Sequence, residues 1–249
     1  MEPSKLAAYG LSDTGLVRKN NEDMWSCAPE LGLYVLADGM GGHQAGEVAA
    51  RETTFFFLSH MKHLLEEEKG IETAEEAAEL IRLGIEETNH FVHQLSKTHE
   101  LLVGMGTTFV CLFFYRDSVI YGHVGDSRIY LQHKEGLEQL TFDHSLLREL
   151  LERGCLSEKQ VDDSYKNIIT RAIGTEPFVE PTVKIARVSS GDLYLLCSDG
   201  LSDLLSNEEI GQVLRLPLTV EEKVRTLIAL AKRKGGHDNV TAVLVEVKV

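Results

Sequence analysis

The sequence is poor in cysteine, and the little it has is badly spaced for metal or disulfide chemistry. Cys27, Cys111, Cys155 and Cys197 are the only four in 249 residues. No two form a CxxC pair, and three sit in or beside apolar, strand-like runs where a free thiol acts as a small hydrophobe. A disulfide scaffold and a zinc ribbon are therefore excluded. No apolar run approaches the ~20 residues that span a bilayer, and the opening "MEPSKLAAYG" has no secretory h-region. Positive charge is also scarce, with 25 Lys and Arg against 39 Asp and Glu and a net charge of -14. Affinity for a phosphate backbone depends largely on Lys and Arg clusters, so a nucleic-acid partner is not expected. Repeats and low-complexity tracts are missing, and nothing in the composition divides the chain. The expectation is one domain over residues 1–249 in a cytoplasmic monomer, with carboxylates available for cations.

What is present is a run of short segments rich in β-branched and aromatic residues and bounded by Gly, Asp or Ser: "LGLYVLADG", "GTTFVCLFFYRD", "SVIYGHVGDS", "RIYLQHK", "TVKIARV", "GDLYLLCSDG" and "NVTAVLVEVKV". These are strand signals. Ala77, Leu80, Ile81, Ile85, Phe91, Val92 and Leu95 recur at helical spacing between Thr73 and Thr98, and "TAEE" offers a capping box at the start. A preceding helix is expected from about Gln44 to Glu67. Two helices followed by closely connected strands predict an α+β fold with antiparallel pairing. Strands apolar on both faces, such as Phe109 to Tyr115, predict a layered sandwich with helices outside two sheets.

The chemistry centres on "LYVLADGMGGHQAGEVAA", where a strand meets a glycine cluster through Asp38. It is not a nucleotide loop. Gly39 and Gly41 are followed by Gln44 where GxGxxG needs its third glycine, and there is no GK[ST]. Aspartates recur at other strand ends, as Asp126 in "GHVGDSR", Asp199 in "LLCSDGL" and Asp238 in "GGHDNVT", with Asp23 in "VRKNNED". Any one of them reads as a turn former or helix cap. Five together, without a His or Cys cluster, suit hard oxygen-liganded cations, Mn²⁺ or Mg²⁺.

In order, "TGLVRKNNED", "LADGMGGHQAGEVA", "GTT", "GHVGDSRIY", "TFDHS", "ITRAIG", "LCSDGLSD" and "GGHDNVT" strongly resemble the PP2C-type (PPM) metal-dependent serine/threonine protein phosphatases, particularly the bacterial branch. The resemblance runs from about Tyr9 to Val247. It implies a four-layer α-β-β-α sandwich of two antiparallel sheets, with a metal centre at one end and a flap over about 143–174. It further implies that Asp38 bridges two Mn²⁺ or Mg²⁺ ions whose direct ligation the Gly39 carbonyl, Asp199 and Asp238 complete. Asp23 would act mainly through metal-bound water and Glu22 from behind it, while Asp126 with Asp199 would match a third, weaker site. Arg18 matches the arginine that grips substrate phosphate, an apt role for a two-pronged guanidinium.

The implied reaction is hydrolysis of phosphoserine or phosphothreonine by direct attack of a metal-bridging hydroxide. Phosphorylated proteins are the implied substrates, with a Ser/Thr kinase as the activity opposed. Asn239 either orients a ligand or caps the turn before the last strand. In the eukaryotic pattern a histidine follows the bridging Asp-Gly; here Met40 stands there, and His43 comes three residues later with a structural role or a share in proton transfer. His144 and His237 are expected to set loop geometry. The alternative is an inactive family member that binds phosphoproteins as a scaffold, but such proteins typically lose metal-site carboxylates and this chain keeps them. A nuclease or phosphodiesterase fits neither the charge nor the motif order.

Overall fold

Alternate residues of the central strands face two different cores, and that alternation builds the molecule. The computed structural model describes residues 6–41, 45–67, 71–152 and 168–248. Among them, β1 (Leu6–Asp13), β11 (Val240–Val247), β10 (Leu193–Cys197), β7 (Arg128–His133) and β8 (Gly136–Gln139) form one sheet in that order. The second sheet runs β2 (Asp23–Ala28), β3 (Leu33–Met40), β5 (Phe109–Tyr115), β6 (Ser118–Val124) and β9 (Thr182–Arg187), with the two-residue β4 (Gly106–Thr107) beside β3. All neighbouring strands in both sheets are antiparallel.

Because side chains alternate along a strand, Leu33, Val35, Phe109, Cys111 and Phe113 face α1 (Ala45–Glu67) and α2 (Ala74–Leu95), meeting Phe57, Met61, Ile81 and Ile85. Their neighbours Tyr34, Leu36, Val110, Leu112 and Phe114 turn inward to meet Tyr194, Leu196, Val243 and Val245 of the other sheet. That sheet's outer residues, Leu195, Cys197, Ala242 and Leu244, pack on the short α4 (Asp199–Ser202), α5 (Asn207–Leu214) and α6 (Val220–Arg233). The order is therefore helices, sheet, sheet, helices, as expected. An edge-to-face pair, Phe114 with Tyr194 at 5.4 Å and 82°, joins the sheets across the middle, a geometry favoured by the ring quadrupole.

The helices start where their sequences direct. Thr73 accepts from the Glu76 N–H, and the Glu76 side chain accepts from the Thr73 N–H, closing the expected capping box on α2. Ser206 with Glu209 and Thr219 with Glu222 do the same for α5 and α6. Strands β1 and β2 and the helices after β10 were not among the segments that pattern alone picks out. "LAAYGLSD" and "DMWSCA" hold few β-branched residues, so their extended form comes from pairing with β11 and β3 rather than from propensity. Of the flap, α3 (Leu146–Glu152) opens it and residues 168–174 close it; residues 153–167 lie outside the described residues, and so does His43. No helix among the described residues is long and apolar enough to cross a membrane.

Phe57 is fully buried between α2 and β5, its ring 4.8 Å from that of Phe109. Phe57→Ala is expected to lower unfolding free energy by about 3–5 kcal/mol, measured by urea denaturation.

Candidate metal and phosphate site

At one end of the sandwich, strand ends from both sheets open into a cleft of about 250 Å³ lined by Arg18, Glu22, Asp38, Gly39, Asp126, Asp199, Asp238 and Asn239. These are eight of the ten candidate residues. Asp23 lies behind this lining, and its place is set by register. It is paired directly across the ladder from Asp38, and like charges in that relation are destabilising. Asp23 is buried, and its Oδ2 accepts from the hydroxyls of Ser198 and Thr241, both at 2.7 Å. Glu22 lines the cleft and accepts from Asn20 Nδ2 at 2.8 Å.

Asp38 is held by its backbone. Its N–H donates to Thr108 Oγ1 at 2.9 Å, and its carbonyl accepts from the Thr108 N–H and the Thr107 hydroxyl, both at 2.8 Å. Thr108 Oγ1 also bonds Ser127 Oγ at 2.7 Å. The "GTT" stretch is thus the clamp on the central carboxylate. Gly39 follows, and a Cβ there would stand 2.1 Å from the Gly46 carbonyl oxygen. Only glycine lets the first turn of α1 approach β3 so closely. Gly200, beside Asp199, is constrained likewise: its Cβ would stand 2.0 Å from the Asn239 carbonyl oxygen.

Asn239 ties three segments together. Its Oδ1 accepts from the Glu22 N–H at 2.8 Å, and its Nδ2 donates to the carbonyls of Thr14 and Asn20 at 3.0 and 2.9 Å. The loop carrying Arg18 is thereby fixed against Asp238. Arg18 Nη2 donates to Asp238 Oδ2 at 2.7 Å, which raises the guanidinium pKa further. On the other flank, His144 clasps the turn before Asp126. Its Nδ1 accepts from the Gly125 N–H at 3.2 Å, and its own N–H donates to the Gly125 carbonyl at 2.9 Å. Burial, then His123 and Arg171, push the His144 pKa down to about 3, so the ring is a neutral acceptor at physiological pH.

The carboxylates are electrostatically frustrated. Burial is the leading cause in every case, and neighbouring carboxylates add to it. The Asp38 pKa is raised well above the ordinary range by burial and then by Asp23, Asp199 and Asp126. Asp199 is pushed to about 7, with Asp126, Asp203 and Asp238 adding to burial. Asp126 and Asp23 are each pushed to about 6. Asp23 Oδ1 and Asp199 Oδ1 are buried without a hydrogen-bond partner, a costly state for an acceptor. An all-oxygen set with orphaned, repelling carboxylates fits a hard divalent cation, which removes each of these penalties. Among the described residues no three His, Cys, Asp or Glu side chains are so disposed that they could hold a metal ion as they stand, so the fit rests on donor chemistry and charge.

Sequence reasoning marked the carboxylates but assigned no role to Thr107, Thr108, Ser198 or Thr241. Each lay inside a quoted motif, and each matters through a contact made only in three dimensions. Arg171, in "ITRAIG", donates to the Glu180 carbonyl at 3.1 Å and lies 3.7 Å from the Glu180 carboxylate.

A fold of two antiparallel sheets between helix layers, with an acidic cleft at the strand ends and an arginine at its edge, defines a class of divalent-cation-dependent phosphoryl hydrolases. Residues 17–244 match the family model for protein phosphatase 2C. The chain is 37% identical over 239 residues to the serine/threonine phosphatase stp of Listeria monocytogenes, covering 94% of this chain and 93% of that protein. It is 39% identical over 237 residues to the serine/threonine protein phosphatase PstP of Mycobacterium tuberculosis, covering 95% of this chain and 44% of that longer protein. Among solved structures, the PstP catalytic domain with two manganese ions superposes with a TM-score of 0.81 at 37% identity, covering 98% of this chain and 99% of that one. Stp1 of Staphylococcus aureus gives 0.88 at 34%, covering 98% and 96%. The chain belongs to the protein phosphatase 2C family. It is a serine/threonine protein phosphatase that depends on divalent metal ions and acts on phosphorylated proteins.

The raised carboxylate pKa values give a pH signature. A group whose folded pKa lies above its unfolded value contributes stability at low pH and loses it as pH rises through the folded pKa. The metal-free protein is therefore expected to lose melting temperature between about pH 4, near the unfolded aspartate value, and pH 7, where Asp199 titrates. Saturating Mn²⁺ should cancel that loss. Asp199→Asn should raise the metal-free melting temperature while weakening Mn²⁺ binding about tenfold or more, checked by thermal denaturation with and without EDTA and by calorimetry.

Proposed function

We propose that Asp38, the Gly39 carbonyl, Asp199 and Asp238 hold two divalent ions, with Asp126 and Asp199 serving a third and weaker one. The supporting observation is the convergence of frustrated carboxylates on a cleft that also holds Arg18. Manganese is the activating ion we favour over magnesium, in line with the manganese-bound PstP catalytic domain. Such ions, when bound, supply Lewis acidity: they neutralise phosphoryl oxygens and make water acidic enough to attack near neutral pH.

The chain's own residues do the rest. Arg18 grips the substrate phosphate, and its planar fork bonds two oxygens at once. Glu22 and Asp23 support the site, Glu22 from the cleft wall and Asp23 from beneath Asp38, where the Ser198 and Thr241 hydroxyls fix it. Asn239 and His144 hold the loops that carry Arg18 and Asp126. The protein offers no covalent nucleophile of the cysteine type among the described residues. Cys111 and Cys197 are fully buried and their thiols are pushed up to about 12, far from the thiolate state that nucleophilic attack requires. We read the attack as direct: water bonds to phosphorus and gives up a proton to solvent, the bond from phosphorus to the serine or threonine oxygen breaks, and that oxygen takes a proton from water or an acid in the cleft, where Met40 occupies the wall.

The phosphoproteins it acts on are products of a Ser/Thr kinase, and we assign the chain the role of opposing one. We further infer one catalytic domain, since β1 pairs with β11 along its full length. A monomer is favoured by mutual repulsion at a net charge of -14. The free thiols of Cys27, Cys111 and Cys197 suit a reducing cytoplasm.

With Mn²⁺ present, hydrolysis of a phosphothreonine peptide is expected, and EDTA should abolish it. Asp38→Ala should reduce kcat by roughly a thousandfold, and Arg18→Ala should raise KM about tenfold. Metal-loaded protein without turnover would instead support the phosphoprotein-binding scaffold. Faster hydrolysis of bis-p-nitrophenyl phosphate than of the monoester would indicate a phosphodiesterase.

A further inference from the structure

A cavity larger than the catalytic cleft lies away from it. It is an open groove of about 790 Å³ between the outer faces of α1 and α2 and the Pro177–Val179 segment. Its floor is aromatic, with Phe56 and Phe91 stacked at 4.2 Å and nearly parallel. Phe178 stands on its wall 87% exposed, and with Phe56, Phe91 and Val179 it makes a contiguous apolar lining. Glu86 and Glu87 line it, while neither Lys nor Arg does. Glu86 pairs with Arg82, which is shared with Glu79, and Glu87 contacts the His60 ring. The helix as a whole carries five glutamates against one arginine.

We propose that this groove docks a basic segment of the phosphoprotein substrate, bearing an apolar anchor flanked by Lys or Arg. Charge selects this occupant over the others. A second copy of a chain with a net charge of -14 would bring its own negative field, and an anionic membrane would be repelled by Glu86 and Glu87. An aromatic floor with a carboxylate rim suits an apolar side chain inside and cations at the edge.

The groove is also tied to the catalytic end by a short stretch of backbone. Ile173 and Thr107 exchange two backbone hydrogen bonds, at 3.0 and 2.8 Å, and the Thr107 hydroxyl donates to the Asp38 carbonyl. One residue on, the Gly174 N–H donates to Asn89 Oδ1 at 2.8 Å, and its carbonyl accepts from His93 Nδ1 at 3.0 Å. Asn89 Nδ2 then donates to the Glu176 carbonyl at 3.1 Å, immediately before Pro177. Both bonding side chains belong to α2, the helix that forms the groove's other wall. A protein docked there is held on the same rigid frame as Asp38, so its phosphorylated residue is presented at raised local concentration.

The inference rests on the phosphatase reading only for the partner's identity, because binding is measured apart from turnover. The probe is a fluorescently labelled, unphosphorylated twelve-residue peptide of alternating Lys and Leu with one Phe. A control of equal charge has Ser in place of the apolar residues. The Lys-Leu peptide is expected to bind in a salt-sensitive way, and the control at least about fivefold more weakly. Phe178→Asp and Glu87→Lys, both at exposed positions, should each weaken binding about fivefold or more, while Asp38→Ala and saturating inorganic phosphate should leave it unchanged. On a phosphorylated basic protein, Phe178→Asp should raise KM by a similar factor with kcat held, and p-nitrophenyl phosphate hydrolysis should not change. Equal binding of the two peptides, binding indifferent to Phe178→Asp, or displacement by phosphate would overturn the proposal. So would a dimer in sedimentation that Phe178→Asp dissolves, since a second copy would then be the occupant. Failure of the hydrolysis assays with peptide binding intact would strike the catalytic reading alone.

Discussion

The burial of a cluster of carboxylates, aggravated by their mutual repulsion, is the constraint from which the rest of this structure follows. Asp23 and Asp38 face each other across a strand pair, and Asp126, Asp199 and Asp238 are brought to the same end from three further loops. Left alone, such a set would spread apart or take up protons, and the raised pKa values show the second tendency. It is held in place by parts that cannot give way: two sheets locked by interdigitated apolar layers, hydroxyls aimed at Asp23, and a threonine clamp on the Asp38 backbone. The architecture is best understood as a frame that resists its own active site. Stability lost at the cleft is offset in the cores, a familiar division in enzymes.

The sequence made much of this legible, for identifiable reasons. An aspartate at one strand end carries little information, but the same placement repeated at Asp38, Asp126, Asp199 and Asp238 does, because strand ends at one edge of a sandwich converge. Strands β3, β5, β6, β10 and β11 were visible since they are buried on both faces and so nearly continuous in apolar residues. Helix α2 announced itself with a capping box and a stripe. What stayed hidden is what depends on long-range pairing. The edge strands β1 and β2 have weak patterns of their own. That Asp23 stands directly opposite Asp38 while Glu22 lines the cleft follows from the register with β3, which the acidic pair does not reveal by itself. Ser198 and Thr241 read as ordinary turn and strand residues, and only folding aims both hydroxyls at one carboxylate oxygen.

The same frame separates two kinds of recognition. Around Asp38 the surface is polar and chemically exacting, suited to one phosphoryl group whatever protein carries it. The aromatic groove over α1 and α2 is larger, apolar and indifferent to phosphate, suited to the surrounding polypeptide. Asn89 and His93 join the two through the backbone at Gly174, so recognition of the protein and of its phosphate are built on one rigid body and need no conformational relay.

The bond between Arg18 and Asp238 spans 220 positions in the chain, and β11, which follows Asp238, is inserted between β1 and β10 rather than added at an edge. Contacts of such separation are the slow ones to form. The acidic cleft is therefore complete only after most of the chain has been brought back on itself. A chain cut between Asp126 and Asp238 would keep several of the acids and the arginine without bringing them to one cleft.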